Sequence, residues 1–214
     1  MRKKWLFIIA TIFTLVVIIF SLRPEKFIIV IDAGHGGADP GTTSSSGIHE
    51  KEINLSIAKK IAASLAKANY KVIMLRNDDS EISLQSRYEQ ANALNADFFI
   101  SVHANAIENQ PHIEGIQVLY YPDNEANNEQ LAKVMLEQLL TTTKAQNKGV
   151  VARPDLAVLR GTTMKSLLIE TGFLTNEQET KRLLQTTYQQ KIADAVTQSL
   201  NRYANDGWLA KTKN

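Results

Sequence analysis

The chain has 214 residues, enough for one domain with a sizeable core plus an appendage, and carries 24 Lys and Arg against 22 Asp and Glu. That near balance is no footprint for nucleic acid. Cysteine is absent, which excludes a disulfide framework, a thiolate nucleophile and a thiolate metal site; any metal must be held by nitrogen and oxygen.

Arg2, Lys3 and Lys4 precede a run of 18 residues, Trp5 to Leu22, without a charge, which Arg23 and Pro24 close. As a helix this run extends about 27 Å, close to the thickness of a hydrocarbon core. The basic cluster favours a cytoplasmic N-terminus, so everything after residue 23 is expected on the extracytoplasmic side of the cell membrane. A cleaved signal peptide is the competing reading, although "IIFSLRPEK" offers no small-x-small cleavage signal. Residues 1–23 are therefore read as an N-terminal transmembrane helix, or as a signal segment that leaves the protein secreted. Four bases and no acid lie in that segment, so residues 24–214 hold 20 bases against 22 acids, a net charge of −2.

Beyond the segment, strands and helices alternate. "KFIIVID" reads as a buried strand, and "EKEINLSIAKKIAASLAKANY" as an amphipathic helix with Ile53, Ile57, Ile61 and Leu65 on one stripe. "KVIML" is a second strand, "SLQSRYEQANALN" a helix that Ser83 can cap, and "ADFFISVH" a third strand. "EGIQVLYY", a helix over roughly 124–142, the run "SLLIE" and two closing helices near 177–185 and 188–203 complete the pattern. This is an α/β domain with one sheet and helices on its faces, without internal repeats.

Three apolar strand runs end in a group able to bind metal or move protons: His35, His103 and Glu170. Ligands gather at the carboxyl ends of strands in open α/β sheets, so these groups can converge. Glu50 stands at the entrance to the first long helix, where a glutamate by itself is explained by the helix dipole. Glu170 is harder to dismiss, because a carboxylate after an apolar run is costly unless paired, bound to metal or kept protonated. His49 and His112 have no such placement and read as surface residues. Two imidazoles and one carboxylate form the ligand set of hydrolytic zinc, with a fourth position left for water. A second carboxylate is then needed to move the proton to the leaving group. The helical H-E-x-x-H signature is absent, and "GHGGADPG" fits neither glycine-rich phosphate-binding pattern.

Five segments, "IDAGHGGADPGT", "GIHEKEINL", "LQSRYEQAN", "ISVHANA" and "LLIETGFLTN", in this order and spacing, resemble the zinc-dependent N-acetylmuramoyl-L-alanine amidases of bacterial cell walls. The resemblance runs from about residue 26 to 203. It implies a three-layer α/β sandwich around a mostly parallel central sheet, with residues 24–214 as the zinc amidase catalytic domain. It also implies that His35, Glu50 and His103 bind Zn2+ and that Glu170 is the catalytic acid/base, and it displaces the helix-dipole explanation of Glu50. Asp32, Arg87 and Asn105 are weaker candidates for substrate binding or for supporting the site. Gly34, Gly36 and Gly37 are expected to keep side chains away from the metal, so that a glycan strand with its lactyl-peptide branch can approach. The implied reaction cuts the amide between N-acetylmuramic acid and L-alanine of the stem peptide in peptidoglycan.

Two other readings share parts of this pattern: a peptidoglycan zinc peptidase and a catalytically silent wall-binding module. No wall-binding repeats are present, so the membrane segment has to supply localisation. The stretch between His103 and Glu170 is too short for an inserted helix that plugs the zinc site. Peptidoglycan and the membrane are the expected partners, with a protein activator as a further candidate. The chain is expected to be a monomer. Single-domain anchored relatives also include amidases of spore-cortex maturation.

Overall fold

The computed structural model describes residues 27–122 and 127–205. The segment 1–23 lies outside the described residues, as do residues 123–126, where the sequence pattern begins its third long helix. Among the described residues the elements run β1 (Ile28–Ala33), α1 (Glu50–Lys67), β2 (Lys71–Met74), α2 (Leu84–Ala93), β3 (Phe98–Asn105), β4 (Ile116–Tyr120) and α3 (Asn128–Thr143). They continue with β5 (Asn147–Ala152), α4 (Ala157–Arg160), β6 (Lys165–Phe173), α5 (Glu177–Leu183) and α6 (Thr186–Asn205).

The strands form one sheet in the order β2-β1-β3-β6-β4-β5. Pairing is parallel between β1 and β2, β1 and β3, β3 and β6, and β4 and β5; only β4 and β6 run antiparallel. The central strands β1, β3 and β6 are buried on both faces, which is why they read as continuous apolar runs rather than alternating ones.

One face carries Ile29, Ile31, Ile100, Val102, Leu167 and Ile169 against α1, α3 and α6. Ile53, Ile57, Ile61 and Leu65 of α1 are fully buried there, each contributing about 1.5–3 kcal/mol by leaving water. Glu50 and Glu52 in the first turn of α1 and Lys67 in its last suit the helix dipole. The opposite face is covered more thinly. There Val30, Phe99 and Leu168 meet Ala91 of α2 and Val158 and Leu159 of the short α4. Ser83 caps α2 by accepting the Ser86 amide.

Two elements are additional to the sequence pattern. β5 is a half-exposed edge strand with Gly149 at φ 86°, and α4 has only 4 residues; neither carries a periodic apolar signal. The expected three-layer α/β architecture and mostly parallel sheet are observed, with the β4/β6 contact as the antiparallel exception.

Candidate metal and catalytic site

The site forms where β1, β3 and β6 end on the thinly covered face. Asp32 is in register with Ser101, and His103 with Glu170, so strand pleating projects these polar side chains on the same side as Val30, Phe99 and Leu168. Just past β1, the Gly34 amide donates to Val102 O at 3.0 Å and carries the chain over β3. A Cβ on Gly34 would sit 2.2 Å from the His103 ring. His35 follows with φ 62°, a left-handed conformation that turns its ring back toward Glu50 and His103.

Donor atoms of His35, Glu50 and His103 all lie within 4.8 Å of one another. Glu50 Oε1 is 2.9 Å from His103 Nδ1 and 3.2 Å from His35 Nε2. These residues fit a metal ion. The spacings approach the edge of about 3.3 Å expected between ligands of a tetrahedron with bonds of about 2.0 Å, and the donor set of two imidazoles and one carboxylate is that of catalytic sites. The other ring nitrogen of His35, Nδ1, lies 2.7 Å from Asp39 Oδ2, the carboxylate–imidazole arrangement that orients metal-binding histidines.

Electrostatics follow from this packing. Burial acts to lower the His35 pKa, but hydrogen bonds and charge from Glu50 and Asp39 outweigh it and raise the value to about 9. Burial acts to raise the Glu50 pKa, yet hydrogen bonds with His103 and His35 hold it well below the usual carboxylate range. Glu50 is 4% exposed. Its Oε2 accepts the Thr42 amide at 3.1 Å, and Oε1 accepts the Ala104 amide at 3.2 Å.

Glu170 differs. Its Oε2 is sealed from solvent and has no hydrogen-bond partner among the described residues. Burial raises its pKa to about 7, with opposing help from His103 and His35 and further upward pressure from Glu50. A carboxyl group that titrates near neutrality beside a metal-ligand cluster can both accept and return a proton. On the far side of Glu170, Gln117 of β4 is its antiparallel register partner. A cavity of about 290 Å³ opens beside the cluster, lined by His35, His103 and Asp32 and by the apolar Leu84, Leu156 and Val158.

The sequence model of the N-acetylmuramoyl-L-alanine amidase family matches residues 29–202. The chain belongs to this family. It is 30% identical over 227 residues to the amidase AmiC of Neisseria meningitidis, covering 86% of this chain and 54% of AmiC, so it spans about half of that relative. A crystal structure of an N-acetylmuramoyl-L-alanine amidase from Clostridium difficile 630 superposes with a TM-score of 0.83 at 33% identity, covering 89% of this chain and 100% of that one. The CwlD amidase from Clostridioides difficile, solved in complex with the GerS lipoprotein, matches with a TM-score of 0.80 at 35% identity, over 85% of this chain and 100% of that one.

Within this amidase fold the weaker candidates take distinct places. The Asp32 carboxylate accepts from Arg87 Nη1 and from Ser101 Oγ, and so lies behind the ligands rather than against them. Arg87 also donates to Ala33 O at 2.8 Å and His35 O at 2.9 Å, which holds the backbone of the histidine turn. Asn105 closes β3, where its side chain accepts the Ala106 amide at 2.8 Å. His112 is exposed, whereas His49 is half-buried and lies 2.9 Å from Thr43 Oγ1.

At Gly34 a side chain would meet the ring of the ligand candidate His103, in keeping with the expectation that these glycines keep side chains off the metal; Gly36 and Gly37 make room instead for the Ser80 carbonyl and for Glu81. Asp39 escaped the sequence reading, although its position four residues after His35 in the same turn was an available signal. Arg76 and Asn54 also escaped it.

Proposed function

We propose that this chain is a zinc-dependent N-acetylmuramoyl-L-alanine amidase that hydrolyses the amide between the lactyl group of N-acetylmuramic acid and L-alanine of the stem peptide. The observation that carries this reading is Glu170, whose sealed Oε2 has no hydrogen-bond partner among the described residues and which is in register with His103 at the edge of a His35–Glu50–His103 cluster. His35, Glu50 and His103 would hold the zinc; nitrogen and oxygen donors without a thiolate suit it. When bound, zinc supplies Lewis-acid polarisation of the scissile carbonyl and a more acidic water. Glu170 takes a proton from the attacking water and delivers it to the departing amine of L-alanine, leaving a lactyl carboxylate. The cavity beside His35 and His103 accommodates part of the substrate next to the reacting bond.

Peptidoglycan lies outside the cytoplasm, and the uncharged run Trp5–Leu22 after three basic residues supports an anchor that presents the domain there. Among the described residues no helix is long and apolar enough to cross a membrane, so that role rests on residues 1–23. The complex of CwlD with the GerS lipoprotein supports a protein partner for this chain as well.

Digestion of purified peptidoglycan by the full chain in detergent, with and without chelator, tests the proposal by mass spectrometry of the products. Peptides that begin with L-alanine, formed only with metal present, are the expected result. Cuts inside the stem peptide would make the chain a zinc peptidase, and intact peptidoglycan bound without cleavage would make it a silent wall-binding module.

A further inference from the structure

Three successive carbonyls around His35 are held by two buried guanidinium groups. Arg87 takes those of Ala33 and His35, as described. Arg76, only 2% exposed, donates Nε to Ala33 O at 2.8 Å and Nη2 to Gly34 O at 2.9 Å. The same Nη2 donates to Lys51 O at 3.0 Å, and Nη1 to Asp78 O at 2.9 Å. Gly34 precedes His35, and Lys51 follows Glu50. One nitrogen therefore bridges the chain neighbours of two of the three metal-ligand candidates.

Asn54 builds a second bridge between the same two places. It is fully buried one turn after Glu50 on α1, and its Nδ2 donates to Gly34 O at 3.3 Å and Glu50 Oε1 at 3.1 Å. Further along the loop, the amides of Glu50 and Lys51 donate to Thr42 O and Pro40 O, but beside His35 itself, at Gly34 O, the links to the start of α1 are those of Arg76 and Asn54. A buried cation is costly, and every hydrogen bond of Arg76 ends on a backbone carbonyl rather than on a carboxylate, three of them at Ala33, Gly34 and Lys51 and the fourth at Asp78 in its own loop.

We propose that Arg76 and Asn54 are positioning residues that fix the spacing between His35 and Glu50 and thereby set the affinity of this chain for a divalent metal. The inference rests on the metal-site reading above. With the bridges in place the ligands are already spaced for the ion. Without them, binding must also order the turn against the helix, so affinity falls.

The test measures zinc affinity of the chelator-stripped full chain in detergent, by competition with a chromophoric chelator, alongside urea unfolding of the stripped protein. Arg76→Lys keeps the charge and loses the fork, while Asn54→Leu keeps the volume and loses the amide. Glu179→Gln serves as the comparison: Glu179 is 1% exposed and accepts the Gly115 and Phe173 amides rather than bonding to His35, Glu50 or His103. The expected result is zinc affinity about 10- to 100-fold weaker in Arg76→Lys and in Asn54→Leu, with Glu179→Gln binding as the parent does despite lower resistance to urea. The inference is overturned if both site variants bind zinc as tightly as the parent, or if affinity in all three simply follows lost stability. Should Arg76→Lys not fold, Asn54→Leu decides, since it removes no charge. A parent chain that binds no zinc would sink the metal reading itself, and this inference with it.

Discussion

His103 and Glu170 stand side by side on parallel strands β3 and β6, one in the candidate metal-ligand cluster and the other sealed at Oε2 with no hydrogen-bond partner among the described residues. This division leaves one carboxyl group in the condition that the proposed proton-transfer role needs, while Glu50 is occupied by both imidazoles. Glu170→Gln removes the transferable proton and preserves shape. Amide hydrolysis is expected to fall about 10²- to 10⁴-fold, with zinc content unchanged when measured by elemental analysis. Activity within threefold of the parent, roughly 0.7 kcal/mol on the barrier, would show that another group carries the proton.

The same burial predicts a pH dependence of stability. Glu170 has an ordinary value of 4.5 and a folded value of about 7, a raised carboxyl pKa. Its contribution is fully present below pH 4.5 and is lost as pH rises through about 7. The loss is on the order of 3 kcal/mol. In metal-free protein, Glu170→Gln should therefore resist urea better than the parent above pH 7, and the two should converge below pH 4.5. Parallel stability curves for parent and variant across this range would refute a raised folded-state value.

Gly34→Ala is the smallest change able to dismantle the cluster. The new Cβ would lie 2.2 Å from His103 Cε1 and Nε2, so the ring or the strand end must move. Neighbouring His35 is already held through its carbonyl by Arg87, which limits how the turn can yield. Zinc affinity should drop by at least tenfold, about 1.4 kcal/mol, while far-ultraviolet circular dichroism stays near that of the parent. Unchanged zinc binding would mean that the β1 end relaxes freely.

Much of this was legible in the residues because the central strands are buried on both faces and end in polar groups. "FIIVIDAGH", "FFISVH" and "SLLIE" display both facts at once, and the sheet brings their ends together. The direction of β4 was not legible, because an apolar run does not encode whether its partner is parallel. β5 was hidden by its half-exposed edge position and by Gly149. Arg76 sits in "MLRNDD", which reads as a strand end followed by a polar turn, and nothing local shows that its guanidinium reaches back to β1. Asn54 left a trace: it is a polar residue on the stripe continued by Ala58, Ile61 and Leu65, where an unpartnered amide would be costly.

Metal binding itself should release protons. Without metal, His35 has both ring nitrogens facing carboxylates, Nδ1 toward Asp39 and Nε2 toward Glu50, and its pKa is raised to about 9. At pH 7 this imidazole is therefore charged, and a ligand nitrogen must be neutral to bind. Zinc binding near neutrality is expected to release about one proton from His35. Calorimetric titrations in buffers of different ionisation enthalpy measure that number directly. The apparent affinity should also weaken about tenfold for each pH unit from 9 down toward neutrality. Asp39→Asn removes one of the two carboxylates that stabilise the charged ring, so its proton release should be smaller and its affinity less dependent on pH. Zinc binding without proton release would place neutral His35 in the metal-free protein, and the carboxylates around it would then be holding a different tautomer rather than a charge.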